Sequence, residues 1–264
     1  MKTTILGALA LLLSCTLASA QPADGPPPKS GAELLAEKCL AAYSNLKTYR
    51  GTTKTNNLSI VNGTENNYGG SATFHFARPD SLRIDGKLAM GGDFSILGLR
   101  EGSWYRWPIE NAGKWKKAEN LSMAVSSMTG VAASAPTTIS YLLTRPAGTP
   151  SHTFRFINGA KIEGEEEIEG KAYYKLTARP TEHSVSWWID KKTLLLRRIV
   201  TSFDENQSAA MMEKTQKQMT AASQKMGMEM PKMEMRFVSN TEEFLVEAID
   251  EPIDERLFEI ATAK

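Results

Sequence analysis

Between residues 72 and 107 apolar and polar side chains take turns along the chain. Ala72, Phe74 and Phe76 alternate with Thr73, His75 and Ala77. After Arg78-Pro79-Asp80, Leu82 and Ile84 alternate with Ser81, Arg83 and Asp85. Phe94 and Ile96 keep the rule, and residues 103–107 add three aromatics. A period of two marks antiparallel strands with one buried face. Residues 48–62, rich in Thr and other β-formers, predict a long strand before this ladder, and NGTENNYGG after it is turn chemistry. The ladder resumes at 154–157 and 161–168, runs as a meander through 172–178, 184–190 and 194–203, and ends with a strand at 235–247. The connections of roughly two to eight residues are too short for βαβ crossovers, which need a dozen or more.

Two stretches carry the helical period instead. In 31–46, Leu34, Leu35, Leu40, Ala41 and Tyr43 form an apolar stripe, and Ser30 with Glu33 makes a capping box. In 119–145, Leu121, Val125 and Met128 fit one short helix; Ile139, Leu142 and Leu143 fit a second that Pro146 ends. Trp187-Trp188 and Leu194-Leu195-Leu196 are apolar on both faces of their strands, so both sides need cover, and the helices 31–46 and 137–144 are predicted to supply it. The expected fold class is α+β: a strongly curved antiparallel sheet of nine to eleven strands, a half-open β-barrel wrapped around covering α-helices.

The N-terminus reads as an export signal. Lys2 is a positive n-region, Ile5–Leu13 an apolar core, and Ala18-Ser19-Ala20 a small-residue cleavage site that leaves Gln21 first. Leu12-Leu13-Ser14-Cys15 offers a second reading, a lipobox with Cys15 as the lipidated first residue. The expected organisation is a signal peptide at 1–20, a Pro-rich linker at 21–30 and a single domain at 31–264 carrying a Met-rich insertion at about 206–234. The expected location is periplasmic, or at the outer membrane through lipidated Cys15.

Charge narrows the partners. The chain carries 31 Lys and Arg against 30 Asp and Glu. Loss of Lys2 with the signal makes it neutral, so no global pull on nucleic acid is expected. No apolar run in the mature part reaches the ~18–20 residues of a membrane span. Cys15 and Cys39 cannot make a disulfide framework or a zinc ribbon; Cys39, in a helical pattern, reads as a buried thiol. His75, His152 and His183 lack zinc-type spacing. No GxSxG, Walker A or GxGxxG motif occurs, and the chain is read as non-catalytic, without a cofactor. Glu163, Glu165, Glu166, Glu167 and Glu169 read as the charged edge of a hairpin, with a cation site or a docking surface for a basic partner as the alternative. Eight of the twelve methionines fall between Met211 and Met235. Met226, Met228 and Met230 could hold Cu(I) through soft thioethers. The reading preferred here is an adaptable apolar flap, with Met233, Met235 and Phe237 leading into the last strand.

The order of these features resembles the outer-membrane lipoprotein carrier and lipoprotein-sorting proteins, a LolA/LolB-like family. The resemblance rests on the signal peptide; the helix ending in Ser44-Asn45-Leu46-Lys47-Thr48-Tyr49; the strands Phe74–Ile84 joined through Arg78-Pro79; Glu101-Gly102-Ser103-Trp104; Gly170–Leu176; and Trp187–Arg198 around Asp190-Lys191-Lys192-Thr193. It covers most of 31–205 and, more loosely, 236–260. It implies a half-barrel whose apolar concavity takes acyl chains of a lipid or lipoprotein under a lid of helices. The inward positions are then Phe74, Phe76, Leu82, Ile84, Phe94 and Ile96, with Trp187 and Ile189 from the second half and Leu142 and Leu143 from the lid. The family latches its lid with an arginine; no residue of this sequence is assigned that role, and Arg78 is read as part of the Arg-Pro turn. The Met-rich insertion departs from the family pattern. The rival expectation is an exported envelope module that uses its convex surface and Glu-rich edge to hold a protein partner, without a ligand.

Overall fold

The computed structural model describes residues 28–88, 92–107, 112–129, 134–146, 148–149, 151–180, 183–204, 208–209, 213 and 235–260. The expectations for the export signal, Cys15 and the linker up to residue 27 lie outside these residues. So do those for nearly all of the Met-rich insertion, including Met226, Met228, Met230 and Met233.

Ser30 caps the first helix, α1 (Gly31–Asn45): its hydroxyl accepts from the Glu33 amide while the Glu33 carboxylate accepts from the Ser30 amide. Then come β1 (Thr48–Val61), β2 (Thr64–Ala77), β3 (Ser81–Leu88), β4 (Gly92–Leu99), β5 (Gly102–Arg106) and β6 (Lys116–Ala118). Two helices follow, α2 (Leu121–Thr129) and α3 (Ser134–Thr144). The second group of strands is β7 (Lys161–Ile168), β8 (Lys171–Ala178), β9 (His183–Asp190), β10 (Leu196–Phe203) and β11 (Met235–Ile249).

Among the described residues eleven strands form one antiparallel sheet, in the order β6-β5-β4-β3-β2-β1-β11-β10-β9-β8-β7. The last strand lies beside the first and joins two meanders. The edges β6 and β7 do not pair, so the barrel is half open. The curvature follows from the core. Ten strand spacings of ~4.8 Å would make a flat sheet about 48 Å wide. Yet Leu82, Ile84 and Ile96 from one end belong to the same buried cluster as Leu176, Trp187 and Ile189 from the other, with α1 and α3 between them. The two wings therefore curl around the helices.

Register explains which side chains face inward. Tyr49 pairs with Phe76 and Ile249, Phe74 with Ile84, Ile84 with Ile96, and Trp187 with Leu176 and Ile199. Gly86 shows how closely β3 and β4 are packed: a Cβ there would meet the Phe94 ring at 2.2 Å. α1 turns Cys39 and Tyr43 into this core, where both are fully buried, and the Tyr43 hydroxyl accepts from the Leu196 amide.

The turn expected over 62–70 is confined to Asn62-Gly63, since Thr64–Gly70 already pair with β1 as part of β2. Two further expectations need correction. Residues 154–157 are not a strand. His152–Phe154 is a 3₁₀ turn whose start is capped by the Ser151 hydroxyl, followed by further turns. Phe154 packs on Trp187 with ring centroids 5.9 Å apart, and the Trp187 indole N–H donates to the Thr153 carbonyl at 3.0 Å. These tertiary contacts override the alternation of a four-residue stretch. The second correction concerns Trp188, on the outer face and 6% exposed. It is covered by side chains, not by a helix. Lys175 and Arg198 lie over its ring at 5.2 and 5.7 Å, and its indole N–H donates to Glu166 at 3.0 Å. Aliphatic stems of long charged residues suffice to shield an outward aromatic.

Candidate functional site

Phe74, Phe76, Leu82, Ile84, Phe94, Ile96, Leu142, Leu143, Trp187 and Ile189 all lie in one core cluster, none more than 2% exposed. α3 supplies Leu142 and Leu143, and the inner faces of β2, β3, β4 and β9 supply the rest. Trp187 has a second role: it is a wall of a pocket of about 570 Å³ between α3 and the inner faces of β9, β10 and β11.

That pocket is built by register. On β9, His183, Val185 and Trp187 point inward, and on β10 their partners are Phe203, Thr201 and Ile199. Thr201 and Ile199 in turn pair with Asn240 and Glu242 of β11. The remaining wall comes from Thr137, Thr138 and Tyr141 of α3 and from Phe156 beyond the 3₁₀ turn. His183 makes an edge contact with Phe156 at 4.9 Å and lies 6.0 Å from Phe203, which reaches Phe237 at 6.2 Å. Arg155 lies over the Phe156 ring at 4.3 Å, and Tyr141 meets the exposed His152 at 5.8 Å. The pocket is therefore aromatic and aliphatic toward β9 and polar toward β11.

Glu242 is the unusual element of the polar end. It is 7% exposed, on the concave side of the sheet, with fully buried Phe244 two residues on. Its Oε2 accepts from the Thr138 hydroxyl at 2.7 Å and its Oε1 from the Asn240 amide at 3.4 Å. The Asn240 amide also donates to the Ser134 hydroxyl at 3.0 Å. Burial pushes the Glu242 carboxyl above the ordinary carboxylate range, against the opposing pull of hydrogen bonds from Ser134, Thr138 and Asn240. The Asn240 carbonyl oxygen, Oδ1, is buried without a partner.

The helix over the pocket is tied down at both ends. At its N-terminus the Ala135 amide donates to the Thr55 hydroxyl at 3.1 Å, and Thr138 holds Glu242. At its C-terminus Arg78 donates through Nη2 to the Leu143 carbonyl at 3.3 Å. The same guanidinium donates to the C-terminal carbonyls of α1, Leu46 at 2.7 Å and Tyr43 at 3.1 Å. A cation at two converging helix C-termini meets orphan carbonyls and the negative ends of both dipoles. Arg78 thus does more than form the Arg-Pro turn: it fastens both covering helices to the β2–β3 connection.

The Glu-rich strand is the sheet edge β7. Glu166 serves Trp188 and Lys175, Glu165 pairs with Lys191, and Glu169 lies 3.4 Å from Arg197. Several of these carboxylates are thus engaged with their own chain. Cys39 is buried, and burial raises its thiol far above the ordinary range. Among the described residues no group of three or more His, Cys, Asp or Glu side chains could hold a metal, and no helix is long and apolar enough to cross a membrane.

Sequence reasoning missed Tyr141, Phe156, His183, Phe203, Asn240 and Glu242. One signal was present: Asn240, Glu242 and Phe244 share the period of two, which puts a carboxylate on the same face as a core phenylalanine.

No protein-family model matches the chain, and no curated protein matches it. Among solved structures it is similar to the Mycobacterium tuberculosis lipoprotein LppX, at 11% identity and a TM-score of 0.43, over 85% of this chain and 99% of that one. It is similar to the LolA superfamily protein NE2245 from Nitrosomonas europaea, at 11% identity and a TM-score of 0.33, over 88% and 99% of the two chains. A third is an outer membrane lipoprotein-sorting protein domain from Vibrio parahaemolyticus, at 11% identity and a TM-score of 0.29, over 86% and 97%. At these values the likeness transfers no role; the chain is similar, over most of its length, to solved structures that include LolA-superfamily and lipoprotein-sorting domains.

Proposed function

We propose that this chain is an exported, non-catalytic protein of the cell envelope that binds the acyl part of a lipid or lipoprotein between α3 and strands β9–β11. The observation that carries this reading is the pocket of about 570 Å³ on the concave side of the sheet, walled by Trp187, Val185, Ile199, Phe156 and Phe203. Pockets that enclose small ligands run from about 300 to 1,000 Å³ and are mostly apolar with a few placed polar groups. Each methylene buried there contributes about 0.8 kcal/mol. The sequence resemblance to lipoprotein carriers agrees in kind. The ten inward residues of the core hold the half-barrel in shape, and the acyl chain enters beside Trp187, where core and pocket meet.

The test is native mass spectrometry of the full chain purified with its membrane extract, followed by titration of the emptied protein with a fluorescent acyl probe. Co-purifying acylated species and saturable probe binding that weakens in Phe203→Ala are the expected results. A protein that carries no acylated species and leaves the probe unbound overturns the proposal. Intact mass of the mature N-terminus separates lipidated Cys15 from free Gln21.

A further inference from the structure

We infer that Asn240 and Glu242 form the polar end of this pocket and select an acylated ligand whose polar group is a neutral hydrogen-bond donor, a hydroxyl or an amide N–H. The inference rests on the acyl-binding reading of the same pocket and adds the class of ligand.

The argument is one of unspent hydrogen-bonding capacity. A half-barrel interior that needed only to be filled would carry apolar side chains on β11, as it does at Phe244. At Asn240 and Glu242 the inner face is polar instead, and both residues line the pocket. Buried polar groups are almost always paired, and an exception calls for a cause. Here the exception is Asn240 Oδ1, a buried amide oxygen with no partner. Its own amide nitrogen is spent on Ser134 and Glu242, so the side chain is held with the oxygen left over. Glu242 beside it takes hydrogen bonds from Thr138, Ser134 and Asn240, so it holds the Asn240 amide nitrogen on its own side. An amide oxygen can only accept, so the missing partner of Asn240 Oδ1 is a donor.

Charge restricts that donor further. Glu242 is held by hydroxyls and an amide, and a phosphate or carboxylate placed beside it would meet a buried acid. The cation of the pocket, Arg155, lines it together with Phe156 beyond the 3₁₀ turn, and it stacks on that ring. The apolar wall at Trp187, Val185 and Phe156 then takes the chain while the donor reaches β11.

Three probes of one acyl length separate the possibilities by isothermal titration below their micelle concentrations: 1-monomyristoylglycerol, its dimethyl ether, and myristoyl lysophosphatidic acid. The expected result is about tenfold tighter binding of the glycerol than of the ether, since one hydrogen bond to a buried acceptor is worth roughly that factor. Binding of the phosphate should be weaker than that of the glycerol. In Asn240→Leu the glycerol-to-ether ratio should fall below about twofold. Glu242→Gln, which keeps an acceptor and the shape of the side chain, should retain part of the preference and guards against a folding defect in the first variant; a melting curve accompanies both. Equal binding of glycerol and ether by the parent chain overturns the subsite while leaving the acyl pocket standing. Tighter binding of the phosphate, or a ratio unchanged in Asn240→Leu, also overturns it. Failure of all three probes to bind overturns the acyl reading and this inference together.

Discussion

The two wings of the sheet treat the same inner face differently. On β2, β3 and β4 the inward positions are Phe74, Phe76, Leu82, Ile84 and Ile96, and they close against the helices with at most 1% exposure. On β10 and β11 the equivalent positions include Thr201, Asn240 and Glu242, and a pocket opens there. Both wings follow one alternation, so the pattern alone does not distinguish a filled wing from an open one. The difference lies in what occupies the inward slots. Large apolar side chains interdigitate and leave no room. Polar ones need partners, and at Thr138 such a partner holds the N-terminal turn of α3 while space remains beside it. The pocket thus lies where the inner face departs from the apolar rule.

The sharpest way to break this contrast is to empty one slot in each wing. Phe74→Ala removes a fully buried ring from the closed wing, and a loss of about 3–5 kcal/mol is expected. Phe203→Ala cuts a half-buried ring at the pocket rim, and a loss of under ~1 kcal/mol is expected. Urea denaturation measures both. If Phe203→Ala costs as much as Phe74→Ala, the pocket wall is core and the two wings are alike.

A smaller effect is expected at Arg78, which belongs to neither wing but holds the cover over both. Arg78→Ala leaves the carbonyls of Tyr43, Leu46 and Leu143 without their guanidinium donor. The expected loss is about 1–3 kcal/mol, because three charge-assisted bonds disappear from a half-buried site. Hydrogen exchange should rise at the C-terminal turns of α1 and α3 while β2 and β3 stay protected. Arg78→Lys should recover only part, since an ammonium cannot reach three carbonyls with a planar fork. Unchanged exchange in both helices would show that the apolar contacts of Tyr43 and Leu143 hold the cover by themselves.

The architecture was legible because alternation is local. Thr48–Val61, Leu82–Ile84 and the hairpin around Asp190 carry their pairing pattern in a few consecutive residues, and Ser30 with Glu33 marks the start of α1 without help from the rest of the chain. The burial of the eight inward strand positions was legible for the same reason, and that of Leu142 and Leu143 from the helical period. The pocket was not, because its walls come from α3, the 3₁₀ turn and three strands, and no sequence period links Tyr141 to His183 or Glu242. Residues 154–157 misled because four residues are too few to weigh against the packing of Phe154 on Trp187. Arg78 was visible only as half of an Arg-Pro turn. That its side chain runs back to α1 and α3 is a fact of distance in space, between positions 35 and 65 residues apart in the chain.

The smallest expected effect isolates the acid of the open wing. Burial raises the Glu242 carboxyl above its ordinary range, so the folded chain holds that proton to higher pH than the unfolded chain does. The stability this group contributes is complete below the unfolded carboxylate value and is lost as pH rises through the raised folded value. Asp85 has the opposite sign: although burial opposes it, hydrogen bonds from Arg83 and Ser95 and the charges of Arg83 and Arg106 hold its carboxyl below the ordinary range. Its contribution is present above the unfolded value and is lost as pH falls. The overall pH profile therefore mixes the two, and a difference between variants separates them. Glu242→Gln keeps an acceptor for Thr138 and cannot ionise, and it leaves Asp85 as it was. The gap in stability between variant and parent should widen in favour of the variant as pH is raised from the carboxylate range toward neutrality. Urea midpoints taken at matched pH steps measure it. A gap that stays constant across those steps would mean that Glu242 keeps an ordinary carboxylate affinity for its proton, and that the open wing is wetter than its 7% exposure implies.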